Sequence, residues 1–526
     1  MKPDRAGRIA SSGLPRGARS LLSAILLLGL LAPARADDPS PLKLFEKELV
    51  DVIARTERSV VSIARVSTKA DAGGERNSDQ LDPFGPRRDN DPTSPAYIPA
   101  DFGSGVILAR EKDKSARFVL TNRHVVVGTR RGEAKVDERT RFFVRLASQR
   151  VLEARVIAAD PRSDLAMLRL DFDGTEVKPD EAPPLALAEQ EAKKGQMVIA
   201  LGNPYAIARD GSASASLGII SNISRRPAPR TTEAFNKDEN ATIHEYGTLL
   251  HVDTRLSLGT SGGALVDLDG KLIGLTTSLA ALEGYEKSVG FAIPMDAGMR
   301  RIIESLLDGY EVEYGFLGVA PHDARFVDLA NVRGQAPQPS AAMVRWIARN
   351  SPAQAANIHP GDCILRVNDR PVFSSADLMR EVGLLGPDTI ATLTLLRPVT
   401  EEVSTVRLRL GKWPVYDDSQ IIATARRYPP WRGLSVDYPT GRRRFMPGDQ
   451  PGAWFTQSVA AVVISEVEPQ GEAARAGLQA GQFITHVDGE AVTTPAEFHR
   501  RIGSGTSPVT LALSNGRRIE LAAKAP

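Results

Sequence analysis

A ten-residue stretch, Ala353-Gln354-Ala355-Ala356-Asn357-Ile358-His359-Pro360-Gly361-Asp362, recurs as Ala473-Ala474-Arg475-Ala476-Gly477-Leu478-Gln479-Ala480-Gly481-Gln482 at a constant offset of 120. The register continues through Ile364/Ile484, Val367/Val487 and Val372/Val492. Each copy reads as a short Ala-rich helix, a Gly turn, a strand, a two-residue turn and a further strand. Copies about 100 residues long are whole domains, not solenoid units. The C-terminal part is therefore expected to hold two like modules, at residues 312–411 and 431–524, joined by a linker over 412–430. A chain of 526 residues also exceeds what one hydrophobic core serves, so the part before residue 310 needs cores of its own.

That part is dominated by short β-rich runs. Val60–Val66, Gly105–Leu108, Phe118–Thr121, Phe142–Leu146, Val151–Ala158 and Leu165–Leu170 read as strands. So do Met197–Leu201, Gly218–Ile223, Leu249–Val252, Ala264–Val266 and Lys271–Thr277. Many short strands with turn residues between them argue for a barrel or sandwich over a βαβ sheet. Before them, Leu42, Phe45, Leu49 and Ile53 recur at helical spacing. Residues 67–101, rich in Asp, Pro, Gly, Arg and Asn, bury little apolar surface and are expected to form a mobile loop.

The N-terminus reads as an export signal. Lys2, Arg5, Arg8, Arg16 and Arg19 form a basic leader, Leu21–Leu31 an apolar stretch, and Ala34-Arg35-Ala36 a small-x-small cleavage pattern. The apolar stretch falls short of the roughly 20 residues a span requires, so cleavage is expected over the alternative, an uncleaved anchor. Beyond residue 36 there are 60 Lys/Arg and 63 Asp/Glu, a balance that gives no reason to expect nucleic acid or an anionic membrane as partner. The one cysteine, Cys363, excludes an intramolecular disulfide, although an extracytoplasmic compartment would permit one.

Three segments carry the chemistry. Leu120-Thr121-Asn122-Arg123-His124-Val125-Val126 places a histidine directly after a hydrophobic strand. Asp160-Pro161-Arg162-Ser163-Asp164-Leu165-Ala166-Met167-Leu168 is a turn with two carboxylates leading into a buried strand. Leu258-Gly259-Thr260-Ser261-Gly262-Gly263-Ala264-Leu265 sets a serine in a glycine-rich turn. A serine hydroxyl is a poor nucleophile at neutral pH. It needs an imidazole to take its proton, a carboxylate to orient that imidazole, and preorganised donors for the oxyanion, each worth roughly 3 kcal/mol. Gly259, Thr260 and Ser261 are the expected oxyanion hole, with Gly259 and Ser261 supplying backbone N–H groups. Alone, each segment has a plainer reading: a common turn, a strand-end histidine, a capping aspartate. Their combination in the order His, acid, Ser within one β-rich region argues for catalysis. An α/β-hydrolase runs Ser, acid, His and is excluded by that order.

On these residues the chain resembles the HtrA/Do-like (DegP-like) family of trypsin-type serine proteases with two C-terminal PDZ domains. Thr121–Val126, Asp160–Leu168, Leu201-Gly202-Asn203-Pro204, Gly259–Leu265 and Gly290-Phe291-Ala292-Ile293-Pro294 match family motifs in order. The resemblance implies a mostly β multidomain fold: a chymotrypsin-like double β-barrel over 42–308, then two α+β PDZ domains. Of the two aspartates it selects Asp164, leaving Asp160 as a turn residue, and so gives His124, Asp164 and Ser261 as the triad. It also implies an ATP-independent periplasmic endopeptidase acting on unfolded or damaged envelope proteins, often trimeric. Three features depart from the family pattern, in the loop that shapes the oxyanion hole and primary pocket. They are Thr260 in place of Asn, Ser257-Leu258-Gly259-Thr260 in place of Asn-x-Gly-Asn, and Arg255 in place of a small residue. These departures keep open a second function, a peptide-binding holdase or scaffold with a latent protease domain.

PDZ domains take a peptide as an added strand and bind its carboxylate on backbone N–H groups of a glycine-containing loop. Phe316, Leu317, Gly318 and Val319 match that loop in the first copy. In the second, Arg432-Gly433-Leu434-Ser435-Val436 places Ser435 where glycine is expected, which leaves a scaffold role open there. Cys363 reads as core. His244 and His251 flank a strand without metal-site spacing, and no metal is expected. Arg442, Arg443 and Arg444 read as a solvated loop, the absence of a phosphate-binding glycine loop agrees with ATP independence, and no cofactor is expected.

Overall fold

The computed structural model describes residues 40–522, apart from 68–90, 129–135, 173–179, 204–210, 227–241, 257–258, 278–289, 325–337, 446–459 and 504–506. The single positions 95, 96, 98, 100, 111, 114, 137, 138 and 350 are also left out. The expected leader and most of the expected loop at 67–101 lie outside the described residues. Residues up to Asp51 and those from Val52 onward form separate compact units. The helix α1 (Pro41–Thr56) buries Val52 and Thr56, while Leu42, Leu44 and Val50 are exposed. Among the described residues no helix is long and apolar enough to cross a membrane.

From Val60 the alternating and β-branched runs fold into two antiparallel barrels. The first comprises β1 (Val60–Ser67), β2 (Asp101–Leu108), β3 (Phe118–Asn122), β4 (Thr140–Arg145), β5 (Val151–Asp160) and β6 (Leu165–Leu170). Their order is β5-β4-β1-β2-β3-β6, and β5 also pairs with β6, which closes the sheet. Val61, Ile63, Ile107, Val119, Val144 and Leu168 point into its core. Each side chain of this kind contributes roughly 1.5–3 kcal/mol when fully buried.

The second barrel comprises β7 (Met197–Gly202), β8 (Ser214–Arg225), β9 (Leu249–Val252), β10 (Ala264–Val266), β11 (Leu272–Thr277) and β12 (Gly290–Pro294), and is closed in the order β10-β11-β12-β9-β8-β7. Behind it α2 (Ala297–Leu307), capped by the Asp296 carboxylate on the Met299 N–H, buries Met299, Ile302, Ile303 and Leu306. The strand β12 and the helix α2 were not among the elements expected from strand-like runs.

The repeat is visible in the strand order. The first module pairs β13 (Gly315–Phe316) with a later strand, β20 (Gly411–Lys412). Between them β14 (Val319–Ala324), β15 (Ala341–Ile347), β16 (Cys363–Val367), β18 (Ile390–Arg397) and β19 (Glu402–Arg409) form a sheet in that order, with β17 (Arg370–Pro371) beside β16. The helix α3 (Ser375–Leu385) packs against this sheet and contributes Leu378 and Val382 to its core. Cys363 is buried in β16, as expected of a core residue. The second module repeats the plan with β22 (Leu434–Asp437), β23 (Val462–Val467), β24 (Phe483–Val487), β26 (Val509–Leu513), β27 (Arg518–Leu521) and α4 (Pro495–Ile502), while β25 (Glu490–Ala491) pairs with β24.

The stretch between the modules is not a free tether. Within it β21 (Ile422–Ala423) joins the first barrel as an outer strand beside β5, pairing Ile422 with Ala159 and Ala423 with Ala158. Thr424 donates from its N–H and its hydroxyl to the Ile157 carbonyl at 3.1 and 2.8 Å. At its start Lys412 is 2% exposed, and its ammonium lies 3.1 Å from Asp437 and 3.0 Å from both Glu311 and Glu313. Arg442 adds ion pairs to Glu311, Asp437 and Asp418. Arg442 therefore departs from the solvated reading: its side chain is 15% exposed and closes this cluster. Nothing in the local run of three arginines signalled that Glu311, more than a hundred positions upstream, would join in burying one of them.

Candidate active site

His124 lies at the point where β3 ends in Asn122 and the chain turns into the single helical turn Arg123–Val127. Its Nδ1 is 2.7 Å from Asp164 Oδ2, and its backbone N–H donates to Asp164 Oδ1 at 3.0 Å. The Asp164 carbonyl in turn accepts from the Arg123 N–H at 2.7 Å and from Asn122 Nδ2 at 3.3 Å. Both side chains are largely withdrawn from water, 14% and 7% exposed. Asp164 sits in the tight turn between β5 and β6 with φ of 53°. A non-glycine residue there carries strain of order 1–3 kcal/mol and persists only where its surroundings hold it.

The serine turn is built on a neighbouring strand. Ser104 of β2 uses all its polar groups for it: its N–H donates to the Ser261 carbonyl at 2.8 Å and its hydroxyl to the Gly259 carbonyl at 2.8 Å. Its hydroxyl accepts from the Asn203 N–H at 2.9 Å, and its carbonyl accepts from Thr121 Oγ1 at 2.7 Å. Thr121 lies on the histidine-bearing strand, so the serine and histidine segments share one anchor. Sequence reasoning passed over Ser104; its signal was a buried hydroxyl between two glycines in an otherwise apolar strand.

Thr260, the departure from the family pattern, is held by its carbonyl, which accepts from Thr276 Oγ1 at 2.6 Å and from the Gly263 N–H at 2.8 Å. A Cβ at Gly202 would lie 2.7 Å from the Thr260 methyl, so the bare backbone of Gly202 is what seats it. Gly259 adopts φ of 91°, and Ser261 is 7% exposed. Arg255 is exposed and donates its N–H to Ser216 Oγ at 3.2 Å.

Gly262 is the position that tolerates least. It has φ of 85°, and a Cβ there would stand 2.1 Å from the Ser104 carbonyl oxygen and 2.4 Å from Thr121 Oγ1. Neither neighbour can yield without breaking an anchor of the turn. Gly262→Ala is expected to lower kcat/KM by at least ~10²-fold, the cost of an ångström-scale misplacement. Steady-state hydrolysis of a chromogenic peptide checks this, alongside circular dichroism showing the barrels retained.

Two residues of the acid turn's surroundings carry more than the sequence suggested. Asp160 is 5% exposed, and its Oδ2 accepts from the Ser163 N–H at 2.7 Å, from Ser163 Oγ at 2.6 Å and from Tyr314 Oη at 2.5 Å. His244 is fully buried with Nε2 2.8 Å from the Ser163 carbonyl and Nδ1 2.5 Å from Thr248 Oγ1. Burial pushes its pKa down, which keeps it neutral. Nε2 then carries the hydrogen, because a carbonyl can only accept. His251, the other histidine set aside as a metal ligand, stacks on Phe291.

In the first module Leu317 is buried and Val319 opens β14, which pairs with β15 along one edge. Phe316 pairs with Gly411. Gly318 has φ of 84°, and its carbonyl accepts from the Ala348 N–H at 2.8 Å. The second module corrects the expected register. Val319 pairs with Ile347, and Leu434 with Val467, 120 positions on. Gly433, with φ of 77° and its carbonyl accepting from the Glu468 N–H at 2.8 Å, therefore takes the place of Gly318. The loop glycine is present, and Ser435 stands two positions beyond it, as the second residue of its strand. Leu434 stands 115 positions beyond Val319 whereas Val467 stands 120 beyond Ile347, so the constant offset of the repeat does not extend into this loop, which hid the match in the sequence. Beside that strand Arg426 donates to Ser435 Oγ at 2.9 Å, and Tyr428 stacks on His499 of α4 with ring centroids 4.8 Å apart.

Comparison with known proteins identifies these parts. Residues 103–275 match the trypsin-like peptidase domain family, and residues 315–410 and 463–514 each match a PDZ domain family. A probable periplasmic serine endoprotease DegP-like of Pseudomonas fluorescens is 30% identical over 91% of this chain and 91% of its own length. A protein of the same description from Pseudomonas fulva is 30% identical over 76% of this chain and 72% of its own. Among solved structures, the HtrA-type protease AlgW with decapeptide is 23% identical, with a TM-score of 0.43, covering 69% of this chain and 98% of that one. The chain belongs to the DegP-like family of periplasmic serine endoproteases.

Proposed function

We propose that the chain cleaves peptide bonds of unfolded envelope proteins through Ser261, His124 and Asp164, and that its first PDZ domain binds peptide. The observation that carries the reading is the short contact between His124 Nδ1 and Asp164 Oδ2. With the Nδ1 hydrogen given to the carboxylate, Nε2 is left as the acceptor that a serine hydroxyl needs in a general base. Ser261 Oγ then attacks the scissile carbonyl, His124 takes its proton and returns it to the leaving amine, and water releases the acyl-enzyme. Backbone N–H groups of Gly259 and Ser261 serve the oxyanion. Among the described residues β14 ends its sheet, and that edge, next to the Gly318 loop, is the surface on which an extended peptide would add as a strand.

A fluorophosphonate probe tests the reading in one step, because it reacts only with a serine activated by a base and an oxyanion hole. Labelling mapped to Ser261, together with degradation of casein, is the expected result. An intact protein that neither labels nor cuts across temperature and added hydrophobic C-terminal peptides is a latent scaffold instead.

A further inference from the structure

We propose that Asp160 is a positioning residue for the catalytic carboxylate and that Tyr314, a side chain from outside the peptidase domain, completes the site. The inference rests on the Ser261–His124–Asp164 reading above.

The turn Asp160–Asp164 must hold a left-handed aspartate with its carboxylate square on His124. Two of the three bonds that Asp160 Oδ2 accepts come from Ser163, the neighbour of Asp164, and close the turn on itself. The third comes from Tyr314, far beyond the segment that matches the peptidase family. Tyr314 is 1% exposed, and burial followed by the nearby Asp160 charge pushes its pKa well up, so it remains a donor. A hydroxyl donating to a buried carboxylate is a charge-assisted bond, about twice as strong as a neutral one.

The same tyrosine is fixed by its own module. Its carbonyl accepts from the Trp413 N–H at 2.8 Å, which ties together the two ends of the first PDZ domain, next to β13 and β20. Arg162, inside the acid turn, lies over both rings, 5.3 Å from the Tyr314 centroid and 5.0 Å from that of Trp413, and donates to the Pro414 carbonyl. The segment before β9 also holds the turn, through His244 on the Ser163 carbonyl and the Ile243 N–H on the Arg162 carbonyl, each at 2.8 Å. Five residues are thus gripped by two separate segments, one of which lies at the entry to the first PDZ domain. A peptidase domain lacking Tyr314 would keep all three triad residues but lose one bond that sets where the acid points.

The test uses the full chain. Tyr314→Phe removes one oxygen and leaves the ring stack in place. It is expected to lower kcat 10–100-fold with KM within twofold, and to slow fluorophosphonate labelling of Ser261 in parallel. The acidic limb of the kcat/KM profile should move to lower pH, because the carboxylate that steadies the imidazolium is displaced. Asp160→Asn should do the same, and the double variant should be no worse than Asp160→Asn alone, the signature of one shared bond. Tyr438→Phe is the control. Tyr438 is 5% exposed and hydrogen-bonds Asp388 between the two PDZ modules, so it loses a comparable bond away from the turn and should keep wild-type kcat and limb.

Ser261→Ala runs alongside. If it still cuts, the serine reading itself fails. If it is dead while Tyr314→Phe and Asp160→Asn cut with wild-type kcat and an unmoved limb, the positioning role is overturned and the serine reading stands. Equal kcat losses in Tyr314→Phe and Tyr438→Phe would also overturn it, since the effect would then be one of general stability.

Discussion

Ser261→Ala is expected to lower kcat by about 10⁶-fold while leaving the unfolding transition in place, because the residues of such a triad act as one unit. The turn that carries Ser261 is anchored through carbonyls and backbone N–H groups, with Ser104, Thr276 and Gly263 holding it from three directions. Loss of Oγ therefore removes the nucleophile and leaves these carbonyl and N–H anchors in place. Asp164→Asn should cost less, about 10⁴-fold, by presenting an amide to His124 Nδ1 and favouring the wrong tautomer. Single-turnover assays on casein, with intact folding by circular dichroism, check both. A Ser261→Ala enzyme that retained activity would mean that the nucleophile lies elsewhere.

The second large effect is on stability. Lys412 is held among Asp437, Glu311 and Glu313 with almost no access to water. Burial pushes its pKa down, but the three carboxylates outweigh burial and raise it. The stability it contributes is therefore complete below about pH 10.4, its unfolded value, and is lost only as pH rises through the higher folded one. Lys412→Ala leaves three buried carboxylates facing one another, and breaking a buried ionic cluster in this way costs roughly 3–5 kcal/mol. Burial already pushes Glu313 up, and without the lysine its proton is held still more readily. The stability gap between wild type and variant should consequently narrow as pH falls from 7 towards 4. Urea titrations across that range decide the matter, and a gap that widens in acid would refute the assignment of Lys412 as the central cation.

The chemistry-bearing turns were legible because each is local. A histidine after a strand, an aspartate before one and a serine among glycines are short patterns, and in the structure His124 and Asp164 are in contact. The repeat was legible because two copies of one pattern check each other, and the loop at Gly433 was misaligned because the spacing between the copies changes from 115 to 120 positions just after it. What escaped were residues whose roles depend on partners far along the chain. Asp160 reads as a turn residue until Tyr314 arrives, and Arg442 as a solvated charge until Glu311 and Asp437 are placed around it. Ser104 and His244 escaped for the same reason: their groups satisfy backbone atoms, and backbone carries no sequence signal.

The strand β21 has a consequence for the order in which the molecule matures. It lies beside β5 in the first barrel, yet it follows the whole first PDZ domain along the chain. A chain that emerges N-terminus first, at about 5–20 residues per second, presents both barrels 20 residues before Tyr314 and more than a hundred before Trp413 and β21. During that interval the acid turn lacks its outer grip and the sheet lacks its outer strand. The newborn peptidase is thus timed by its own length: it matures last where it was made first, after the module that follows it has folded.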